Sequence, residues 1–110
     1  MDQCAYATSK GGAITFMHYL TKELGVYGIR INVVVPSYMW GPNVEAFVKY
    51  EASNQKMSEQ ESKSRILSHF PLNEIPTDDD VAEVAVFLCS DRAQSVNGQS
   101  ILVNGGELTR

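Results

Sequence analysis

Tyr6 and Lys10 stand four residues apart in Tyr6-Ala7-Thr8-Ser9-Lys10. On a helix that spacing puts two side chains one turn apart on the same face. The Lys10 ammonium can then lie beside the Tyr6 ring. A free phenol ionises near pH ~10, and a nearby positive charge favours the phenolate. A phenol in that setting can exchange a proton with an alcohol or a ketone near neutral pH. Lysine carries three donors and no acceptor, so the same ammonium can hydrogen-bond to ribose hydroxyls. Taken alone, Tyr-x-x-x-Lys is a weak signal that any exposed helix can carry by chance. The elements around it decide its meaning.

The pair falls in a helix expected from Ala5 to Val26, with Ala5, Ala13, Ile14, Met17, Leu20 and Leu24 in a stripe of period near 3.6. Gly25 and Gly28 are stop signals. The β-branched run Ile29–Val35 follows and is halted by Pro36; its apolar end reads as a buried parallel strand. A long helix directly before a buried strand is an α/β pattern. Pro36 to Pro42 is a loop with three bulky side chains, and Val44–Tyr50 is expected to be a short helix with Val44, Phe47 and Val48 on one face. Glu51 to Lys63 is polar and charged, and reads as a solvated, mobile segment; Ile66–Phe70 ends a second short helix. Thr77 caps a further helix whose acids Asp78, Asp79 and Asp80 sit at the positive end of its dipole. Val81, Val84, Ala85 and Leu88 form its buried stripe, to about Ser90. Asp91–Ser95 and Val96-Asn97-Gly98 are turns, Gln99–Val103 is a second apolar strand, and Asn104-Gly105-Gly106 ends it.

Two strands alone are not a stable sheet, and parallel strands need neighbours and helices on both faces. The missing part of the sheet is therefore expected N-terminal to Met1 or on a partner chain. A chain of 110 residues, 44% hydrophobic and 20% charged, has the balance of a soluble globular domain. Its net charge of -4 argues against nucleic acid as a partner, which calls for a basic patch. No apolar run reaches the length of a membrane span, so no membrane partner is expected, and no signal peptide opens the chain. Cys4 and Cys89 form no metal-ligand spacing with His18 or His69, and read as reduced thiols of a cytoplasmic protein. No metal site is expected: the Asp78–Asp80 run is a helix start, because hard cations need more oxygen ligands at set spacings. His18 and His69 read as surface or interface residues.

Tyr6-Ala7-Thr8-Ser9-Lys10-Gly11-Gly12-Ala13 resembles the catalytic helix of the short-chain dehydrogenase/reductases. Gly28-Ile29-Arg30-Ile31-Asn32-Val33-Val34-Val35-Pro36 is similar to that family's sixth strand, Thr77 to Asp91 to its last helix, and Asn97 to Gly106 to its last strand and Gly-Gly tail. These matches keep the family's order and cover nearly the whole chain. The resemblance implies an α/β fold, the C-terminal part of a Rossmann-type doubly wound parallel sheet with its last helices and last two strands, in a single domain over 1–110 with a substrate lid at about 37–70. Ligands of such sheets bind at the carboxyl ends of the strands, and both the start of the Tyr6 helix and the loop after Val35 are expected at that edge.

What the resemblance implies is an oxidoreductase using NAD or NADP. Tyr6 would be the general acid/base; Lys10 would support it and hold the nicotinamide ribose. Pro36, Ser37, Tyr38, Met39 and Gly41 would line the cofactor. The family reads Pro-Gly there, with a threonine four residues after the glycine. Here Ser37 replaces the glycine and Gly41 the threonine, so backbone groups of Ser37 to Gly41 are expected to take over that contact. Tyr38, Trp40 and Phe47 would line an apolar pocket for a secondary alcohol or ketone. The family's glycine-rich phosphate turn, its catalytic serine and its asparagine would lie before Met1, so little activity is expected of the chain alone. The family also implies a homo-oligomer. The second hypothesis is a non-catalytic truncated chain that assembles with full-length subunits. A third, an epimerase or dehydratase sharing Tyr-x-x-x-Lys, is disfavoured by the Asn104-Gly105-Gly106 ending.

Overall fold

Alternating helices and strands are what the pattern of 3.6-residue stripes and β-branched runs dictates, and a computed structural model describes them over residues 3–109. The elements are α1 (Cys4–Leu24), a 3-10 turn (Gly25–Tyr27), β1 (Val33–Pro36), α2 (Pro42–Gln55), α3 (Glu59–Leu67), α4 (Asp78–Cys89), a second 3-10 turn (Asp91–Ala93) and β2 (Ser100–Val103). β1 and β2 pair in parallel. Two parallel strands and four helices make this part of a Rossmann-type sheet. The chain divides into two compact units, Met1–Val34 with Val86–Ile101 and Val35–Ala85 with Leu102–Arg110.

In the first unit, α1 buries Met17 and partly buries Ile14, Leu20 and Leu24, the expected stripe; Ala5 and Ala13 are exposed. The expected strand at Ile29 begins only at Val33. Up to there, side chains join a backbone bond, from the Gly98 N–H to the Ile31 carbonyl (2.8 Å), in holding the backbone. The Ile31 N–H donates to Asn97 Oδ1 (2.8 Å), the Gln99 N–H donates to Asn32 Oδ1 (3.0 Å), and Asn32 Nδ2 donates to the Val96 carbonyl (2.9 Å). Arg30 donates to the carbonyls of Val96 and Ser90 at 3.1 and 3.2 Å. The turn before β2 needs glycine at Gly98: φ is +70°, and a Cβ there would stand 3.1 Å from Thr21 Cγ2.

The second unit departs from the sequence reading. Residues 51–63 form no mobile stretch but the end of α2 and most of α3. Pro42 occupies the first turn of α2, where its missing N–H costs nothing. Lys56, at φ 52°, ends the helix. Ser58 then opens α3 with a reciprocal cap: the Glu61 N–H donates to Ser58 Oγ (3.2 Å), while the Ser58 N–H donates to the Glu61 carboxylate (2.7 Å). Val44, Val48 and Ala52 form a buried i, i+4 row on α2, and Ser62, Ile66 and Phe70 form another from α3 onward. Val44, Val48, Ile66, Phe70 and Ile75 are the core, with Trp40 and Leu67 packed against it. The fully buried Ser62 hydroxyl donates to the Glu51 carboxylate and ties α3 to α2.

Thr77 caps α4 as expected. Its N–H and hydroxyl both donate to Asp80 Oδ2 at 2.7 Å, and the Asp80 N–H donates back to Thr77 Oγ1 at 3.2 Å. Hydrogen bonds from the Thr77 N–H and then its hydroxyl lower the Asp80 pKa. Those from the Ser58 N–H and hydroxyl, with a smaller contribution from the Arg65 charge, lower that of Glu61.

Candidate active site

α1 starts at Cys4, so Tyr6 and Lys10 lie in its first two turns, where one turn of rise stacks them on a common face. Lys10 Nζ is 5.5 Å from the centre of the Tyr6 ring, in range of a cation–π attraction. The Tyr6 side chain is open to solvent, at 63% exposure. Ser9, between them, donates its hydroxyl to the Tyr6 carbonyl at 2.8 Å, so that hydroxyl serves the helix backbone. The first unit therefore presents an accessible phenol with an ammonium beside it, the groups needed to pass a proton and hold the charge left behind.

In the second unit Pro36 ends β1 and is exposed. Ser37 follows with its Oγ buried and without a hydrogen-bond partner. A buried hydroxyl left unpaired costs about 1–3 kcal/mol. Met39 is partly buried and Tyr38 is 46% exposed. The loop is fixed at Trp40, whose N–H donates to the Pro76 carbonyl at 2.8 Å and whose backbone bridges Thr77. Lys63 Nζ lies 4.2 Å from the centre of the Trp40 ring. Gly41, extended at φ -178°, leads into α2.

The three expected substrate residues separate. Tyr38 and Phe47 line one cleft of about 270 Å³, together with Glu51, Arg65, His69 and Glu107. Trp40 lines another, of about 320 Å³, with Lys63 and Thr77. The four ionisable residues of the first cleft escaped the sequence reading. One signal was present: Phe47 and Glu51, and likewise Arg65 and His69, are four apart, and would share a face once residues 51–63 are read as helical. Among the described residues, no three His, Cys, Asp or Glu side chains are grouped to hold a metal ion, and no helix is long and apolar enough to cross a membrane.

A family model described as enoyl-(acyl carrier protein) reductase matches residues 1–107. L-rhamnose 1-dehydrogenase (NAD(P)(+)) of Azotobacter vinelandii is 35% identical over 104 residues, which cover 94% of this chain and 37% of that protein. The (3R)-3-hydroxyacyl-CoA dehydrogenase of Mus musculus is 35% identical over 106 residues, 96% of this chain and 37% of the relative. Among solved structures, a short chain dehydrogenase family protein from Francisella tularensis subsp. tularensis SCHU S4 superposes with a TM-score of 0.86 at 31% identity, covering 94% of this chain and 43% of its own. The chain thus spans 37% of the length of both relatives.

Proposed function

Because the chain belongs to the short-chain dehydrogenase/reductase family, a family of NAD(P)-dependent oxidoreductases, we propose that it supplies Tyr6 and Lys10 to hydride transfer between NAD or NADP and a secondary alcohol or ketone. The observation that carries this reading is the accessible Tyr6 phenol with the Lys10 ammonium on the same face of α1. The nicotinamide, when bound, gives or takes the hydride. In reduction the Tyr6 phenol donates a proton to the carbonyl oxygen; in oxidation it takes one from the hydroxyl. Lys10 stabilises the charge that develops on the phenol oxygen and offers its remaining donors to ribose hydroxyls. Pro36, Ser37, Tyr38, Met39 and Gly41 form the nicotinamide wall, where backbone groups of Ser37 to Gly41 take the place of the family's usual threonine contact. Tyr38 and Phe47, both near 45% exposed, give the substrate an apolar wall, and Trp40 braces the loop behind it.

A second reading, in which the chain acts by assembly with other subunits, is favoured by Phe16, Tyr19 and Tyr27. They are 65%, 66% and 76% exposed in the unit that holds α1, and a homo-oligomer is proposed in either case. The experiment is to offer the full-length protein carrying this chain NADH and NADPH with a panel of ketones, and the oxidised cofactors with the matching alcohols. Turnover with at least one pair is expected. A protein that binds neither cofactor and transfers no hydride leaves the assembly reading alone.

A further inference from the structure

We propose that Lys63 is a positioning residue for the cofactor: its ammonium holds the Trp40 ring, and through that ring the loop 36–41, against α3. This rests on the oxidoreductase reading above, which makes that loop a wall of the nicotinamide site. Lys63 Nζ lies 4.2 Å from the centre of the Trp40 ring, inside the range of a cation–π attraction. Two other lysines lie over rings, Lys10 over Tyr6 at 5.5 Å and Lys22 over Tyr19 at 6.0 Å. Each of those pairs shares one face of α1 and needs no tertiary structure to meet. Lys63 lies on α3 and Trp40 between β1 and α2, so their contact fixes one element on another.

The backbone at both ends of the contact is set independently of it. Ser62, beside Lys63, is fully buried and donates to the Glu51 carboxylate of α2, and Ile66 on the next turn belongs to the core. Trp40 is partly buried against the same core, and its N–H donates to the Pro76 carbonyl at 2.8 Å. Only side-chain freedom is left to lose when ammonium and ring meet. Lys63 is half-buried, and among the described residues it forms no ion pair. Its charge meets the indole instead, the best of the aromatic faces for a cation. Trp40 stands between Met39 and Gly41, two residues of the proposed nicotinamide wall. An indole free to leave α3 would let both move. A loop that holds its binding conformation only part of the time lowers affinity by that fraction. Lys63 thus acts on cofactor affinity through Trp40.

The test compares the full-length protein with its Lys63→Met and Lys63→Arg variants. Methionine keeps an unbranched apolar stem and removes the charge, whereas arginine keeps a cation that stacks on rings. Amide exchange at Trp40, taken relative to that of the core residue Ile66, reads the loop and discounts any global loss of stability. Dissociation constants for NADH and NADPH read the site. Lys63→Met is expected to speed Trp40 exchange by about two- to fivefold, the ratio a modest cation–π attraction supports. It is also expected to raise the dissociation constant of the bound cofactor by at least about twofold, and Lys63→Arg is expected to restore both. Unchanged exchange, faster exchange with unchanged affinity, or an arginine variant as impaired as the methionine one overturns the inference while the oxidoreductase reading stands. A full-length protein that binds neither cofactor overturns both.

Discussion

Tyr6→Phe is expected to lower the rate of hydride transfer by roughly 10²–10⁴-fold, the contribution of a positioned general acid or base. The substitution keeps the ring and removes only the hydroxyl. Tyr6 is 63% exposed in this chain, and removing one oxygen atom leaves its ring in place. Lys10, the proposed ribose ligand, is unchanged, so cofactor affinity is expected to hold while kcat falls. Such a split separates lost proton transfer from a disturbed site. Single-turnover absorbance of NAD(P)H, with cofactor binding measured alongside, reads both quantities. A loss below about tenfold would place the proton donor elsewhere.

Phe70→Ala is expected to destabilise the protein by about 3–5 kcal/mol, the range for a buried phenylalanine truncated to alanine. Phe70 is 3% exposed and packs in the core with Val44, Val48, Ile66 and Ile75. Its ring also borders Gly105, where an added Cβ would come within 2.8 Å of Phe70 Cδ1 and 3.2 Å of the Glu74 carbonyl oxygen. Little nearby space is left for relaxation, so the truncation leaves a void. Gly105→Ala makes the converse error, overfilling the same region at φ +59°, and is expected to cost about 1–3 kcal/mol. Urea unfolding of the full-length protein would show both as a lower midpoint with an unchanged slope. A shift equivalent to less than about 1 kcal/mol for Phe70→Ala would mean that this core does not anchor α2 and α3, and with them the walls of the Tyr38–Phe47 cleft.

What could be read from the sequence was what short-range geometry determines. Tyr6 and Lys10 need only one helical turn to meet. Thr77 and the acids after it announce α4 because a cap is a contact among neighbours. The turns at Gly98 and Gly105 show as glycines where φ is positive. The α2–α3 pair was misread because its polarity masks two sparse rows, Val44-Val48-Ala52 and Ser62-Ile66-Phe70, and the second row contains a serine. Ser58-x-x-Glu61 was a cap signature in plain view. The late start of β1 could not be anticipated, because the amides of Asn32 and Asn97 that hold the backbone there are more than sixty residues apart in sequence. The cleft drew on three separated segments for the same reason: Tyr38 with α2, the region of α3, and Glu107.

The proposed function makes residues 6–10 and residues 36–41 contacts of NAD or NADP. Amide hydrogen exchange on the full-length protein, with and without excess NADH and NADPH, tests it most directly. Protection is expected to rise at residues 6–10 and at 36–41 together with one of the two cofactors. Exchange at both segments that neither cofactor alters, in a protein that remains folded, would contradict it.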